Sequence, residues 1–139
     1  MSHIYASPVF AAMPGSAHGY NVIDHNQINP ELGGEDGFRT LARLAKQHGL
    51  GWIQDIVPNH MAYSPLNPLL FDLFEQGEAS RYWSYFDIDW ESPYPGLEGR
   101  VIAPFLGSLY GEVLERGEIS LSYGEDGFRL SCYHMHFPL

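Results

Sequence analysis

The sequence predicts an α/β protein: a strand–helix–strand unit in residues 1–60, followed by a less regular α+β segment. Three observations support this prediction. They are a short apolar stretch at residues 3–10, a 3.6-residue apolar period over residues 34–48 and a nearly continuous apolar run at residues 50–58. An apolar run that directly follows a helix is typical of a parallel strand buried on both faces.

The predicted helix over residues 34–48 has a single apolar face, formed by Phe38, Leu41, Ala42, Leu44 and Ala45. Acidic residues lie in its first turn, and Gly49 follows the last periodic position as a C-terminal stop. The stretch before it, residues 12–33, is rich in Pro and Gly and shows no period. It is therefore predicted to be a long functional loop.

The pattern changes beyond residue 60. Asn67 and Pro68 suit the cap and the first position of a short helix. Alternating apolar residues on both sides of Gly124–Gly127 predict a β-hairpin. We therefore expect a domain boundary near residue 61, which divides the chain into residues 1–60 and residues 61–139.

Charge and cysteine content narrow the classes of function. The 139 residues contain 7 Lys and Arg against 17 Asp and Glu, a formal net charge of −10. This charge disfavours nucleic acid and anionic membrane surfaces as partners. Cys132 is the only cysteine, so an internal disulfide and a cysteine-based zinc site are excluded. With no signal-peptide pattern at the N-terminus, a cytoplasmic location is expected.

Polar residues at the end of the second predicted strand form the first candidate site. They are Asp55, Asn59 and His60. A carboxylate within an apolar strand costs several kcal/mol unless it is paired or hydrated. Parallel α/β folds place such residues at the carboxyl end of the strand, where active sites lie. The alternative is a loop in which Asp and Asn cap the backbone.

The long loop supplies a second candidate site, with His18, Tyr20 and Asp24. A tyrosine there can present its ring to the C–H groups of a sugar. The alternative is a tyrosine that packs on its own loop.

Two other groupings indicate solvated surfaces rather than metal sites. His134 and His136 alternate along a predicted strand, but no third ligand is evident. Asp87, Asp89 and Glu91 also alternate, but they lack the glycine and the closing glutamate of a calcium loop. No metal and no cofactor are expected.

In combination, the motifs resemble those of the α-amylase superfamily of glycosidases (glycoside hydrolase family 13). The matching stretches are His18-Gly19-Tyr20, Asp24, residues 28–34 (INPELGG) and residues 55–60 (DIVPNH). The resemblance implies a partial (β/α)8 TIM barrel, from its second to its third strand, in residues 1–60. Residues 61–139 would then be an α+β insertion domain that follows the third strand and covers the cleft.

The resemblance also implies roles for individual residues. Tyr20 would stack on the sugar beside the scissile bond, Asp55 would support the catalytic centre, and His60 would bind a sugar hydroxyl. His18 is placed with the substrate-binding residues, and Asp24 and Asn59 with the structure of the cleft. Asn59 matches a calcium-ligating position of many amylases. The other ligands cannot be identified in this sequence, so we do not predict a calcium site.

Residues 5–9, 14–20 and 82–119 narrow the resemblance to enzymes that convert the terminal α-1,4 link of a maltooligosaccharide into an α-1,α-1 trehalose link. Their Asp nucleophile, Glu general acid and further Asp follow the fourth, fifth and seventh strands. The chain would thus be an inactive piece of a longer enzyme, with an α-1,4-glucan and the remainder of that enzyme as partners. The alternatives are another α-glucan hydrolase or transferase, and a non-catalytic remnant that binds α-glucan.

Overall fold

The computed structural model describes residues 1–102, 105–125, 127–133 and 135–138. The chain divides into two compact units, Met1–Pro68 and Leu69–Leu139. Residues 61–67 belong to the first unit, and the Ala62 backbone is bonded to its strand Val22–Ile28. The Ala62 N–H donates to the carbonyl oxygen of Val22 at 2.7 Å, and the Asn67 side chain donates to that of Ala62 at 3.3 Å.

The first unit contains a parallel strand–helix–strand arrangement. Strand β1 (His3–Ala6) pairs in parallel with β4 (Gly51–Gln54), in a register that runs from His3 opposite Gly51 to Ala6 opposite Gln54. Helix α1 (Gly34–Gln47) lies between them in sequence and follows a 3-10 turn at Pro30–Leu32. The strands, the helix and their order confirm the predicted strand–helix–strand unit.

The prediction of a long loop over residues 12–33 is wrong for part of that stretch. Strand β3 (Val22–Ile28) pairs antiparallel with the short strand β2 (Phe10–Ala12). The polar run from Asp24 to Gln27 masks the strand in the sequence. Its conformation is set by pairing with Ala11 and Ala12, which are distant in sequence, rather than by local propensity.

The expectation that β4 is buried on both faces is also wrong for this structure. Ile53 in β4 is 49% exposed, and Ile56, just beyond the strand, is 58% exposed. On α1, Ala45 alone is buried, while Leu41 and Leu44 are exposed. The helix meets the strand where Phe38 packs edge-on against Trp52, with ring centres 5.5 Å apart.

The second unit combines short helices with a three-stranded antiparallel sheet. Its elements are α2 (Pro68–Gln76), a 3-10 turn at Gly77–Ala79, α3 (Tyr110–Glu115), β5 (Ile119–Gly124), β6 (Gly127–Cys132) and β7 (Met135–Pro138). The sheet order is β5–β6–β7. The predicted helix at Pro68 and the predicted hairpin, with Gly124 opposite Gly127, are confirmed. Strand β7 contains His136, in agreement with the strand predicted at that position.

The core of the second unit is formed by Leu70, Leu73, Val113, Cys132 and Phe137, all of which are buried. Phe137 is the centre of the aromatic packing, with the rings of Phe105 and Phe74 at 5.1 and 5.5 Å. Among the described helices, none combines the length and apolarity needed to cross a membrane.

Replacing Leu73 by alanine tests this core. Leu73 is completely buried, so L73A is expected to lower the free energy of unfolding by about 2–5 kcal/mol. Leu114, half-exposed on α3, is the matched control, and L114A is expected to cost about 0.5 kcal/mol or less. Urea unfolding followed by circular dichroism measures both, and equal losses would contradict this core.

Candidate functional site

Three side chains meet at the carboxyl end of the β1–β4 pair. Asp55 directly follows β4, and its N–H donates to the carbonyl oxygen of Ala6, the last residue of β1, at 2.9 Å. The hydroxyl of Tyr5 donates to Oδ2 of Asp55 at 3.0 Å. The hydroxyl of Tyr20 donates to the same oxygen. The carboxylate thus lies at the strand end, as predicted, and it is satisfied by two phenol donors.

These hydrogen bonds set the protonation states of the three groups. The bond from Tyr20 and then that from Tyr5 lower the pKa of Asp55. Desolvation acts in the opposite direction, and a hydrogen bond from the Ile56 backbone lowers the pKa further. The pKa values of Tyr20 and Tyr5 are raised, chiefly because each hydroxyl donates to the Asp55 carboxylate. At neutral pH the cluster therefore holds one carboxylate and two neutral phenols. Asp55 is suited to accept hydrogen bonds rather than to donate a proton.

A tight turn at His18–Tyr20 presents the second tyrosine. The Tyr20 N–H donates to Nδ1 of His18 at 3.0 Å, and the two rings lie 5.8 Å apart. Gly19 has a φ of +76°, and a Cβ at this position would lie 2.4 Å from the carbonyl oxygen of Pro8. Glycine is therefore the only residue that fits without displacing the backbone.

Hydrogen bonds hold the loop that carries this turn, residues 13–21, which we call the long loop. The Gly15 N–H donates to both carboxylate oxygens of Glu31, each at 3.1 Å. The Met13 N–H donates to the carbonyl oxygen of Asn21 at 3.0 Å, and the Ser16 hydroxyl bonds the Asn21 side chain. The 3-10 turn that holds Glu31 is itself capped by Asn29, whose Oδ1 accepts from the Glu31 N–H at 3.0 Å.

The structure brings His18, Tyr20 and Asp55 together, but it does not bond the other predicted site residues to them. Asp24 accepts from the Asn26 N–H at 2.8 Å, as a local turn would. Asn59 Oδ1 and His60 Nδ1 lie 3.2 Å apart on an exposed segment. Within the described part of the chain, no hydrogen bond links Asn59 or His60 to Asp55.

Two residues with clear contacts were assigned no role from the sequence. Tyr5 looks like an ordinary strand residue, and only its position in the β1–β4 register identifies it as a neighbour of Asp55. The ring of His25 lies with Nε2 3.2 Å from the carbonyl oxygen of Val57, and so links β3 to the segment after β4. The ring of Phe10 packs against that of His25, with ring centres 5.8 Å apart.

The described residues gather no three His, Cys, Asp or Glu side chains that could hold a metal ion. His136 bonds the Ser131 hydroxyl at 2.8 Å, and His134 lies outside the described residues. Asp87 and Asp89 line a separate cleft in the second unit, together with Tyr94 and Arg100.

Comparison with known proteins gives matches over most or all of the chain. Residues 1–113 match the family model described as "Alpha amylase, catalytic domain". A "Putative maltooligosyl trehalose synthase" of Mycobacterium tuberculosis is 40% identical over 131 residues, which cover 87% of this chain and 17% of that protein. An intracellular maltogenic amylase of Bacillus subtilis is 35% identical over 85 residues, which cover 61% of this chain and 14% of that protein.

The structural match covers the whole chain. A crystal structure titled maltooligosyl trehalose synthase superposes on 100% of this chain with a TM-score of 0.89 and 43% sequence identity. The match covers 18% of that structure. The chain thus has an α-amylase-type fold, and it spans less than a fifth of the length of the relatives that it matches.

Substituting Gly19 tests the geometry of the turn before Tyr20. G19A adds a Cβ against the Pro8 carbonyl in a backbone of positive φ, whereas G15A adds one at φ +73° with no atom within 4 Å. Both variants place a side chain on a backbone of positive φ, which costs each of them about 1–2 kcal/mol of stability. We expect G19A to cost about 1–3 kcal/mol more than G15A because of the clash. Urea unfolding of the two variants measures the difference, and equal costs would contradict the close approach.

Proposed function

The chain belongs to the alpha-amylase family, and from this premise we propose that it forms part of the substrate-binding region of a maltooligosyl trehalose synthase. Such an enzyme isomerises the terminal α-1,4 link of a maltooligosaccharide to an α-1,α-1 trehalose link by intramolecular transglycosylation. The main support is the match to the crystal structure of a maltooligosyl trehalose synthase, because this match covers 100% of the chain. The match to the maltogenic amylase covers 61%.

In this proposal β1 and β4 are the second and third strands of a (β/α)8 barrel, and residues 61–139 form the insertion after the third strand. The parallel pairing of β1 with β4 and the position of α1 between them support this placement. The exposed apolar side chains of Ile53, Leu41 and Leu44 support it too. In a closed barrel, neighbouring strands and helices cover such faces.

The cluster at the strand ends is proposed to bind one glucosyl unit. Tyr20 is 40% exposed, and Asp55 holds its hydroxyl. We propose that its ring packs against the C–H groups of a sugar. The ionised Asp55 accepts sugar hydroxyls, and His18 fixes the turn that orients Tyr20. His60 is proposed to reach a further hydroxyl, while Asp24 and Asn59 shape the rim of the cleft.

The arrangement assigns Asp55 to binding rather than to bond cleavage. A retaining transfer requires a carboxylate nucleophile and a carboxylic acid about 5 Å apart across the scissile bond. Asp55 is instead bonded by two phenols, which stabilise its charge and lower its nucleophilicity. We therefore place the nucleophile and the general acid outside residues 1–139.

Loss of the Tyr20 ring should weaken the binding of maltopentaose. Y20A removes the stacking surface, so we expect affinity to fall about threefold to tenfold in a calorimetric titration. Y85A is the matched control, because Tyr85 is also exposed but lies in the second unit. Unchanged affinity in Y20A would contradict the proposed sugar site.

The 139-residue chain alone is expected to leave maltopentaose unchanged, because the proposed catalytic carboxylates lie outside it. The full-length protein that contains this segment should instead remove reducing ends without releasing glucose. A reducing-sugar assay combined with glucose detection measures both. Release of glucose or shorter maltooligosaccharides as the main products would favour an α-glucan hydrolase, which the shorter match to the maltogenic amylase supports.

A further inference from the structure

We propose that Tyr5 is a positioning residue for Asp55: its hydroxyl, with that of Tyr20, holds the carboxylate in the orientation in which it accepts a hydroxyl of the bound glucan. The glucan part of this inference rests on the proposed function. The part of the inference that concerns the hydrogen bond from Tyr5 to Asp55, which we call the hold of Tyr5 on Asp55, rests on geometry alone.

The register of the parallel strands places the two side chains together. Tyr5 in β1 lies opposite Ile53 in β4, and opposed residues of paired strands point to the same face of the sheet. Asp55 comes two residues after Ile53, so the period of two returns it to that face. The backbone bond from Asp55 N–H to the Ala6 carbonyl continues the ladder to this point. The 3.0 Å contact between the Tyr5 hydroxyl and Oδ2 follows from this register.

The two phenols approach the carboxylate from separate segments of the chain. Tyr5 lies on β1 and Tyr20 on the long loop, and both donate to Oδ2. A carboxylate has about four acceptor sites on its two oxygens, and Oδ1 accepts from neither tyrosine. Two donors from different directions restrict rotation of the Asp55 side chain, while acceptor capacity remains for a substrate hydroxyl.

The exposure of Tyr5 argues against a packing role. The residue is 68% exposed, so its ring adds little to a core and its hydroxyl is the group with a defined partner. Removing that hydroxyl is therefore expected to leave the fold intact and to act on Asp55. Because the bond favours the ionised carboxylate, its loss raises the pKa of Asp55.

The decisive experiment is an NMR titration of the Asp55 side-chain carboxyl carbon in the 139-residue chain. In Y5F the pKa of Asp55 should rise above its value in the unsubstituted chain, and in the Y5F/Y20F double variant it should rise further. Y85F is the control, since Tyr85 is 67% exposed and lies in the other unit. The Asp55 pKa should not move in Y85F. An unchanged Asp55 pKa in Y5F would overturn the proposal.

A second measurement needs no substitution, and so it does not depend on how a variant folds. With ¹³C at Cζ of tyrosine, the Tyr5 phenol of the unsubstituted chain should ionise above the ordinary tyrosine range. The reason is that its ionisation breaks the bond to Asp55 and places two negative charges side by side. Ionisation within the ordinary range would overturn the hold of Tyr5 on Asp55.

The glucan part is tested by the pH dependence of maltopentaose affinity. Protonation removes the charge of Asp55 and so weakens it as a hydrogen-bond acceptor. Affinity should therefore fall as the pH drops through the Asp55 pKa, and in Y5F this fall should begin at a higher pH. A shifted Asp55 titration with no shift in the affinity profile would overturn the role of Tyr5 in glucan binding. Absence of maltopentaose binding in the unsubstituted chain would instead refute the proposed function, and the two titrations would still decide the hold of Tyr5 on Asp55.

Discussion

The parallel pairing of β1 with β4 is the constraint on which the candidate site depends. Tyr5 and Asp55 are 50 residues apart in sequence, and only this pairing brings them to one edge of one sheet. Since side chains alternate across a strand, a slip of one residue would turn Tyr5 to the opposite face and away from Asp55. Backbone hydrogen bonds therefore fix where Asp55 lies relative to Tyr5, and the two phenols then orient its carboxylate.

The remaining half of the site is built by local backbone geometry rather than by the sheet. Gly19 lets the chain pass close to the Pro8 carbonyl, and the loop is fastened through Glu31 to the 3-10 turn before α1. Tyr20 is thus presented by a loop with its own internal bonds. Because the sheet and the loop converge on one carboxylate oxygen, Asp55 joins the strand end to the loop.

Features set by local patterns could be predicted from the sequence, and features set by distant pairing could not. Helix α1 and the β5–β6 hairpin follow from apolar period and glycine position. Strand β3 was missed because it is polar and is defined by its partner β2. Tyr5 was missed because its role is visible only once the register is known. The structure brings Tyr20 and Asp55 into contact. The roles assigned to the six predicted site residues remain predictions.

The separation between β1 and β4 also has a consequence for the order of events during synthesis. A hairpin such as β5–β6 closes a short loop and can pair as soon as it is made, whereas β1 must wait for α1 and β4 to follow it. Until then the unpaired backbone groups of β1 are open to other strands. Strand β1 has only four residues, His3–Ala6. It therefore offers few backbone groups for pairing with a wrong strand before β4 leaves the ribosome.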